Sequence, residues 1–360
     1  MRVCFVVRDA AWSGATRAFA DAATLLAARG YETCFAAPAG SEAARCLVMA
    51  GHEVVGMKQG GGWLRAGWRL RQVVASRLSE VLFVHDDREH LTAAAAVRMA
   101  GRGAVIRRTS CGERLTLGRD GRLAMRLAAT GFVFAHADDQ RGMTPPRGAL
   151  AACVAPPGVA IATPRPPAAV GAIGDAEAQR LVVFAGADRK HEALVALRAL
   201  SLLAPRLPRL RATVFWPAAD IDTVRLESAA LGVADRIVWR ASGTPRNDAL
   251  AEADLAWVIA TADDAVFAML DAFAHGVPVL AERSPMTSRV VEDGVTGVLR
   301  HDADEAAWAS VIAATLAHAD RMERMGACAL NAATRWPLDA GADGWVQVTE
   351  AARDRTRWTT

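Results

Sequence analysis

The sequence predicts an α/β protein built from two doubly wound, parallel-sheet domains facing across a cleft. Three observations carry that reading. Short β-rich runs alternate with Ala/Leu-rich helical runs along the whole 360-residue chain, which is the rhythm of βαβ units. Near the middle, "APPGVAIATPRPPAAVGAIG" (155–174) breaks the rhythm with five prolines, three glycines and no helical period, as a linker does. The length suits two domains of ordinary size.

In the first half, "RVCFVV" (2–7) reads as a buried strand and "TRAFADAATLLAARG" (16–30) as a helix closed by Gly30. "YETCFAA" follows as the next strand, then "EVLFVH" (80–85), "AVIRR" (104–108) and "GFVFAHA" (131–137). Continuous apolar runs of this length suit strands covered on both faces. After the linker, "LVVFAG" (181–186), "RATVFW" (211–216), "RIVWRA" (236–241), "DLAWVIA" (254–260) and "VPVLAE" (277–282) read as strands. Helices fill the gaps: "HEALVALRALSLLA" (191–204), "VRLESAALG" capped by Gly232, "NDALAEA" and one from about 264 to 275. In open α/β sheets ligands bind outside the carboxyl ends of the strands. That points to the loops after Val7, Val84, Gly186, Trp239 and Ala260.

Composition narrows the function classes. About half the residues are hydrophobic and 22% charged, as in a globular protein with a sizeable core. No apolar run reaches the roughly 18–20 residues of a membrane span, and the start is too short for a signal peptide's apolar region. The expected location is cytoplasmic, on the inner face of the membrane if peripheral. The six cysteines are scattered without a CxxC or Cys/His cluster, so reduced core thiols are expected, with no zinc site and no disulfide framework. The net charge of +3 conceals an asymmetry. Residues 1–165 hold 22 Lys/Arg against 13 Asp/Glu (+9), and residues 166–360 hold 20 against 26 (−6). A basic first half suits an anionic acceptor or membrane face. Nucleic acid is not indicated, because no recognition motif accompanies the charge.

"DDAVFAMLD" (263–271) carries the sharpest chemistry. Asp263 stands where a strand gives way to a helix, so a capping role alone accounts for it as well as a functional one does. Asp271 lies on a helix that is apolar on nearly every face, hence buried. A carboxylate there needs a partner: a ligand diol, a protein arginine or backbone N–H groups.

The run from Glu252 to Leu299 resembles the donor-binding segment of family 4 retaining glycosyltransferases. That family has a strand, a Glu-x7-Glu pair, then A-x-G-x-P-V and E-D-G-x-T-G. Here Asp263 and Asp271 take the acidic positions, followed by "AHGVPV" (274–279) and "EDGVTG" (292–297). "LGVADRIVW" (231–239) resembles the run before the base-binding loop, where Arg240 follows. "SGATR" (13–17) resembles the "GGAER" loop, "PPGVA" (156–160) the interdomain "NGVD", and "AATRWPLD" (332–339) the region before the last helix. The resemblance spans essentially the whole chain.

It implies the two-domain GT-B architecture, with Rossmann-like domains over 1–165 and 166–335 and a final helix, 336–360, crossing back to the first. It implies a metal-independent, retaining glycosyltransferase without a cofactor, working in cell-envelope or exopolysaccharide synthesis. The donor is a UDP- or GDP-linked sugar, and the acceptor a glycolipid or saccharide. Asp271 would hold the donor ribose and Asp263 would lie on the sugar side. Both are Asp where the family has Glu, which shortens the reach by roughly one C–C bond, about 1.5 Å. Asp264, Ala265 and Val266 stand where the family has Gly-Phe-Gly.

In "GADRKHE" (186–192), Lys190 resembles the family's phosphate-neutralising lysine, with Gly186 before it. Ala187 holds the usual arginine position and Arg189 is the candidate substitute. Cations at a helix N-terminus oppose the helix dipole unless an anion sits there. Gly14, in "RDAAWSGAT" (8–16), allows close backbone approach to a phosphate or acceptor, though a plain βα turn explains it equally. Arg108, with Thr109 and Ser110, is the candidate acceptor contact after the fifth strand, where the family often has a histidine. His85 reads as a hydrogen-bonded structural residue. "KQGGGWLRAGWRLRQVVASR" (58–77) has five cations, two tryptophans and no acid. Trp63, Arg65, Trp68 and Arg69 suit an anionic membrane surface or an acceptor face, while a solvated basic helix is the plain alternative. The altered donor motifs also admit a non-catalytic binding protein on the same fold.

Overall fold

The computed structural model describes residues 1–58, 60, 62–142, 146, 148–161, 178–186, 190–301 and 304–357. The chain divides into two compact units, Met1–Pro157 with Leu338–Thr360, and Gly158–Pro337. Most of the linker read from the sequence, 162–174, lies outside the described residues.

The first unit holds seven parallel strands: β1 (Arg2–Val6), β2 (Glu32–Pro38), β3 (Val54–Met57), β4 (Val81–Val84), β5 (Ala104–Arg108), β6 (Thr130–Phe134) and β7 (Ala152–Val154). Their order is β3-β2-β1-β4-β5-β6-β7. Alternation along the strands splits the core into two layers. Val3 and Phe5 face α1 (Gly14–Ala28) and α2 (Glu42–Met49), whereas Cys4 and Val6 face α3 (Trp63–Arg77) and α4 (Asp87–Ala100). Phe5 stacks between Phe35 and Phe83, with ring centroids 5.1 and 4.9 Å away. Two shorter helices, α5 (Arg119–Leu127) and α6 (Ala137–Arg141), complete the unit's run before β7.

The C-terminal helix, Ala342–Arg357, packs on this same unit through Trp345, Val348 and Ala352. Its close seating requires glycine at one place. A Cβ on Gly344 would lie 2.0 Å from the Val154 carbonyl oxygen.

The second unit is a six-stranded parallel sheet of order β10-β9-β8-β11-β12-β13. In chain order it runs β8 (Arg180–Phe184), α7 (Lys190–Leu203), β9 (Arg211–Trp216), α8 (Ile221–Ala230), β10 (Ile237–Ala241), α9 (Asn247–Ala251) and β11 (Leu255–Val258). Then come α10 (Ala262–Ala274), β12 (Val279–Glu282), α11 (Thr287–Val290), β13 (Gly297–Arg300), α12 (Glu305–Leu316) and α13 (Ala319–Ala333). Trp257 and Trp308 pack against each other in its core, ring centroids 5.3 Å apart.

Each sheet has one point where the strand order reverses, between β1 and β4 in the first unit and between β8 and β11 in the second. The loops leaving those neighbouring strands diverge, which opens a crevice at their carboxyl ends. Each unit therefore has its own candidate ligand-binding crevice.

Candidate active site

In the second unit, β8 and β11 are tied together at the reversal. The Phe184 carbonyl accepts from the backbone N–H groups of Ile259 (2.9 Å) and Ala260 (3.2 Å). Gly186 follows β8 and is buried, and α7 opens at Lys190. Arg189 and the side chain of Lys190 lie outside the described residues.

From β11 the chain enters α10 through Thr261, whose extended backbone (φ −118°) makes it the N-cap. The Thr261 side chain makes no capping hydrogen bond, and Asp263 and Asp264 lie inside the first turn rather than at the N-cap position. Asp263 is nonetheless 2% exposed, and a carboxylate in the first turn is favoured by the helix dipole. Ala262, just before it, has φ +48°, a left-handed conformation that costs a non-glycine residue on the order of 1–2 kcal/mol. Strain of this kind collects at functional sites.

Asp271 lies eight residues further on, about 12 Å along the axis and roughly 80° round it. Every residue from Ala265 to Ala274 is buried, Asp271 among them. Of the partners that burial demanded, the structure supplies an arginine. Arg246 Nη1 donates to Asp271 Oδ2 at 3.0 Å, with only 13% and 11% of the two side chains exposed. The Arg246 guanidinium also lies 4.9 Å over the Phe184 ring, a favourable cation–π placement. Arg246 comes from the segment between β10 and α9, the loop that follows the "LGVADRIVW" run. The sequence singled out Arg240 there, but Arg240 belongs to β10, two strands away from β8. The sequence signal that was available is "TPRND" itself, a Pro/Asn/Asp-rich turn carrying one cation next to a helix start.

The flanking motifs are structural. Gly276 adopts φ +69° and Gly294 φ +80°. In "EDGVTG", Asp293 Oδ1 accepts from Leu299 N (2.9 Å), its other oxygen pairs with Arg283, and Thr296 Oγ1 accepts from Glu292 N (2.9 Å). A Cβ on Gly297 would meet the Val279 carbonyl oxygen at 2.2 Å. The motif thus closes a turn and seats β13 against β12.

In the first unit, the reversal between β1 and β4 is bridged by Glu89. Its carboxylate accepts from the backbone N–H groups of Arg8 (2.9 Å) and His85 (2.7 Å). Burial, with the neighbouring Asp86 charge, pushes this carboxyl up to about 7. His85 Nε2 and Ser110 Oγ are 3.0 Å apart, the hydrogen-bonded arrangement read for His85. Arg108 ends β5 and is buried, as is Thr109. Its neighbour Arg107 is paired with Asp87. Gly14 opens α1, where Ser13 Oγ accepts from Thr16 N at 3.3 Å; this is an ordinary helix start.

The residues Trp63, Arg65, Trp68 and Arg69 all lie on α3, but they do not form one basic face. Arg69 turns back to donate to the carbonyls of Lys58 (2.9 Å) and Gly60 (3.0 Å), and Arg71 Nε donates to the Met99 carbonyl at 3.1 Å. Arg65 is exposed, beside an apolar stripe of Leu64 (59% exposed) and Trp68 (54%) one turn apart. Trp63 is half-buried and lines a pocket. Among the described residues no group of three or more His, Cys, Asp or Glu is placed to hold a metal ion, and no helix is long and apolar enough to cross a membrane.

Two parallel α/β sheets of seven and six strands with these reversal points define a GT-B fold, and solved structures share it. The chain superposes on a protein from Anabaena, HepE in complex with UDP-glucose, with a TM-score of 0.74 at 17% identity, covering 98% of this chain and all of that one. It superposes on the pneumococcal O-GlcNAc transferase GtfA, in complex with UDP and GlcNAc, with a TM-score of 0.72 at 10% identity, covering 98% and 99%. Residues 179–318 match the family described as Glycosyl transferases group 1. That segment carries β8, α10 and both aspartates, so the group 1 glycosyltransferase resemblance read from the sequence is borne out there. A D-inositol 3-phosphate glycosyltransferase from Nocardia farcinica is 29% identical over 212 residues, 55% of this chain. The chain spans about half that relative's length, 47%.

Proposed function

We propose that the protein transfers a sugar from a nucleoside-diphosphate donor to a hydroxyl acceptor, with retention at the anomeric carbon. The observation that carries this is Asp271: a carboxylate buried on an apolar helix at the reversal point of a group 1 glycosyltransferase domain. The second unit holds the donor. The roughly 12 Å axial step from Asp263 to Asp271 suits a donor laid along α10, with its sugar near the first acid and its ribose near the second. The N-terminus of α7, which follows β8 at the reversal point, suits the diphosphate, so the leaving group is neutralised by backbone amides without a metal. The first unit holds the acceptor. The UDP and UDP-glucose bound by the two structural neighbours support a uridine donor, and the curated relative's name supports a phosphorylated polyol acceptor. The protein works in the cytoplasm in envelope or exopolysaccharide synthesis, with the Leu64–Trp68 stripe and Arg65 lying on the anionic membrane surface.

A thermal-shift series with UDP, GDP, ADP and CMP tests the reading. UDP stabilises the wild type and fails to stabilise Asp271→Asn. No shift with any nucleotide would count decisively against it. For the membrane contact, Trp68→Ala/Arg65→Glu loses flotation with anionic vesicles; equal flotation of variant and wild type rejects that part.

One observation favours a second reading, a protein that binds a nucleotide sugar without transferring it: Asp271 is already paired with Arg246. Nucleotide binding without donor hydrolysis or transfer to any acceptor selects this alternative.

A further inference from the structure

The first unit contains a pocket of about 460 Å³ on the α3–α4 side of its strand ends, the size of a small-ligand site. Its floor is apolar: Val6 at the end of β1, Ala36 in β2, and Leu70 from α3. Trp63, the first residue of α3, forms one wall. Glu89 forms another, but its oxygens are committed to the backbone amides of Arg8 and His85. The cations differ in how far they are engaged. Arg8 is paired with Asp86 at 2.8 Å. Lys58, at the end of β3, and Arg88, in the first turn of α4, are both exposed on the lining. Among the described residues, neither the Lys58 ammonium nor the Arg88 guanidinium is paired with a carboxylate. Asp9 is the remaining acid of the lining and is exposed, so the pocket keeps a cationic balance.

We infer that this pocket binds a phosphate ester carried on a small ring, with the phosphate between Lys58 and Arg88 and the ring against Trp63. Two cations on separate elements suit a dianion with several acceptor oxygens better than one carboxylate, and arginine suits phosphate geometry. The apolar floor and the indole take the ring's less polar face, as such sites commonly do. The pocket rests on the transferase reading only for its role: if that reading holds, the ligand is the acceptor, and the acceptor is phosphorylated. The phosphate can come from a soluble sugar phosphate or from a lipid headgroup.

Calorimetric titration of the full chain with glucose 6-phosphate, inorganic phosphate and glucose reads the first source. Sedimentation with vesicles containing phosphatidylinositol 4-phosphate, with phosphatidylglycerol as the ring-free anionic control, reads the second. Glucose 6-phosphate is expected to bind more tightly than inorganic phosphate, and glucose not at all. Lys58→Glu/Arg88→Glu weakens that binding at least ten-fold, Trp63→Ala removes the preference for the sugar phosphate, and UDP binding stays unchanged in all three. Sedimentation selective for phosphatidylinositol 4-phosphate over phosphatidylglycerol, lost in the double variant and without soluble binding, assigns the phosphate to a headgroup. The inference is overturned if neither phosphate source binds, or if binding survives the double charge reversal. A wild type that binds the phosphate probe but no nucleotide keeps this inference and removes the transferase reading.

Discussion

Removing either member of the Arg246–Asp271 pair should cost the second unit far more than removing both. The two side chains are only 13% and 11% exposed, so each charge depends on the other in place of water. Deleting one partner of a buried pair leaves an uncompensated charge, at about 3–5 kcal/mol. Residual exposure and the Phe184 ring, which still faces Arg246 at 4.9 Å, put this pair toward the lower end, about 3 kcal/mol. In a unit of this size about 1 kcal/mol moves Tm by 2–4 °C, so Asp271→Ala should melt roughly 6–12 °C below wild type. Arg246→Met, which keeps the apolar stem over Phe184, should lose a similar amount. Asp271→Ala/Arg246→Met should recover most of it, so the coupling energy exceeds the loss of either single variant. Urea unfolding followed by circular dichroism, completed as a double-mutant cycle, gives each term. Additive losses, or single variants within about 0.5 kcal/mol of wild type, would refute the idea that each charge is held by the other. The cycle also protects the functional test, since a nucleotide-binding defect in the recovered double variant is not a folding defect.

Three further outcomes follow from the same geometry. Gly344→Ala forces a Cβ into the Val154 carbonyl oxygen 2.0 Å away; overpacking of this kind costs about 1–3 kcal/mol, and an unchanged Tm would show that the C-terminal helix does not seat there. Ala262→Gly relieves the φ of +48°, and its strain relief outweighs glycine's entropic cost of roughly 0.5–1 kcal/mol. Its Tm is expected at or above wild type, whereas Ala265→Gly inside the same helix loses about 1 kcal/mol; equal losses would contradict the strain. His90 is buried against Thr130 (Nε2 to Oγ1 3.0 Å), and burial, helped by the Arg107 charge, lowers its pKa to about 3. The unfolded chain therefore binds a proton below about pH 6.5 that the folded chain refuses, so His90's contribution is complete above pH 6.5 and is lost toward pH 3, by about 1.4 kcal/mol per unit. Glu89 has the opposite sign over part of that range, so the comparison is with His90→Gln, whose stability should fall less steeply from pH 6 to 4; parallel curves would remove His90 from the account.

What was legible in the sequence follows from where the signal is local. Strands covered on both faces are uninterrupted apolar runs, so β1, β8, β9 and β11 could be read directly. The edge strands β3, β7 and β13 were not read: each is three or four residues long, and half-covered strands carry no such run. Asp271 was legible because an apolar helix is a local pattern and a carboxylate breaks it. Its partner was not, because Arg246 stands 25 residues away in a turn, and only tertiary structure brings the two together. Asp263 was placed at the helix start with a capping and a functional role both open, and it falls inside the first turn because strand and helix meet at Thr261.

Charge shows the same division in a form that bears on function. The excess of cations in the first half is a property of composition, and "KQGGGWLRAGWRLRQVVASR" concentrates it on one helix. Folding then consumes part of it. Arg69 and Arg71 are turned onto carbonyls of Lys58, Gly60 and Met99, and Arg8 onto Asp86. Lys58 and Arg88 are among the cations that remain, thirty residues apart in sequence and on two elements, and both stand on the lining of one pocket. A net charge therefore says that an anion is welcome somewhere in this half, while a pocket that gathers two cations says where. By that reasoning charge reversal at Lys58 and Arg88 should weaken phosphate binding much more than reversal at Arg65, although each removes positive charge from the same surface. If all three reversals act alike, and salt abolishes them alike, the field of the whole unit and not the pocket attracts the anion.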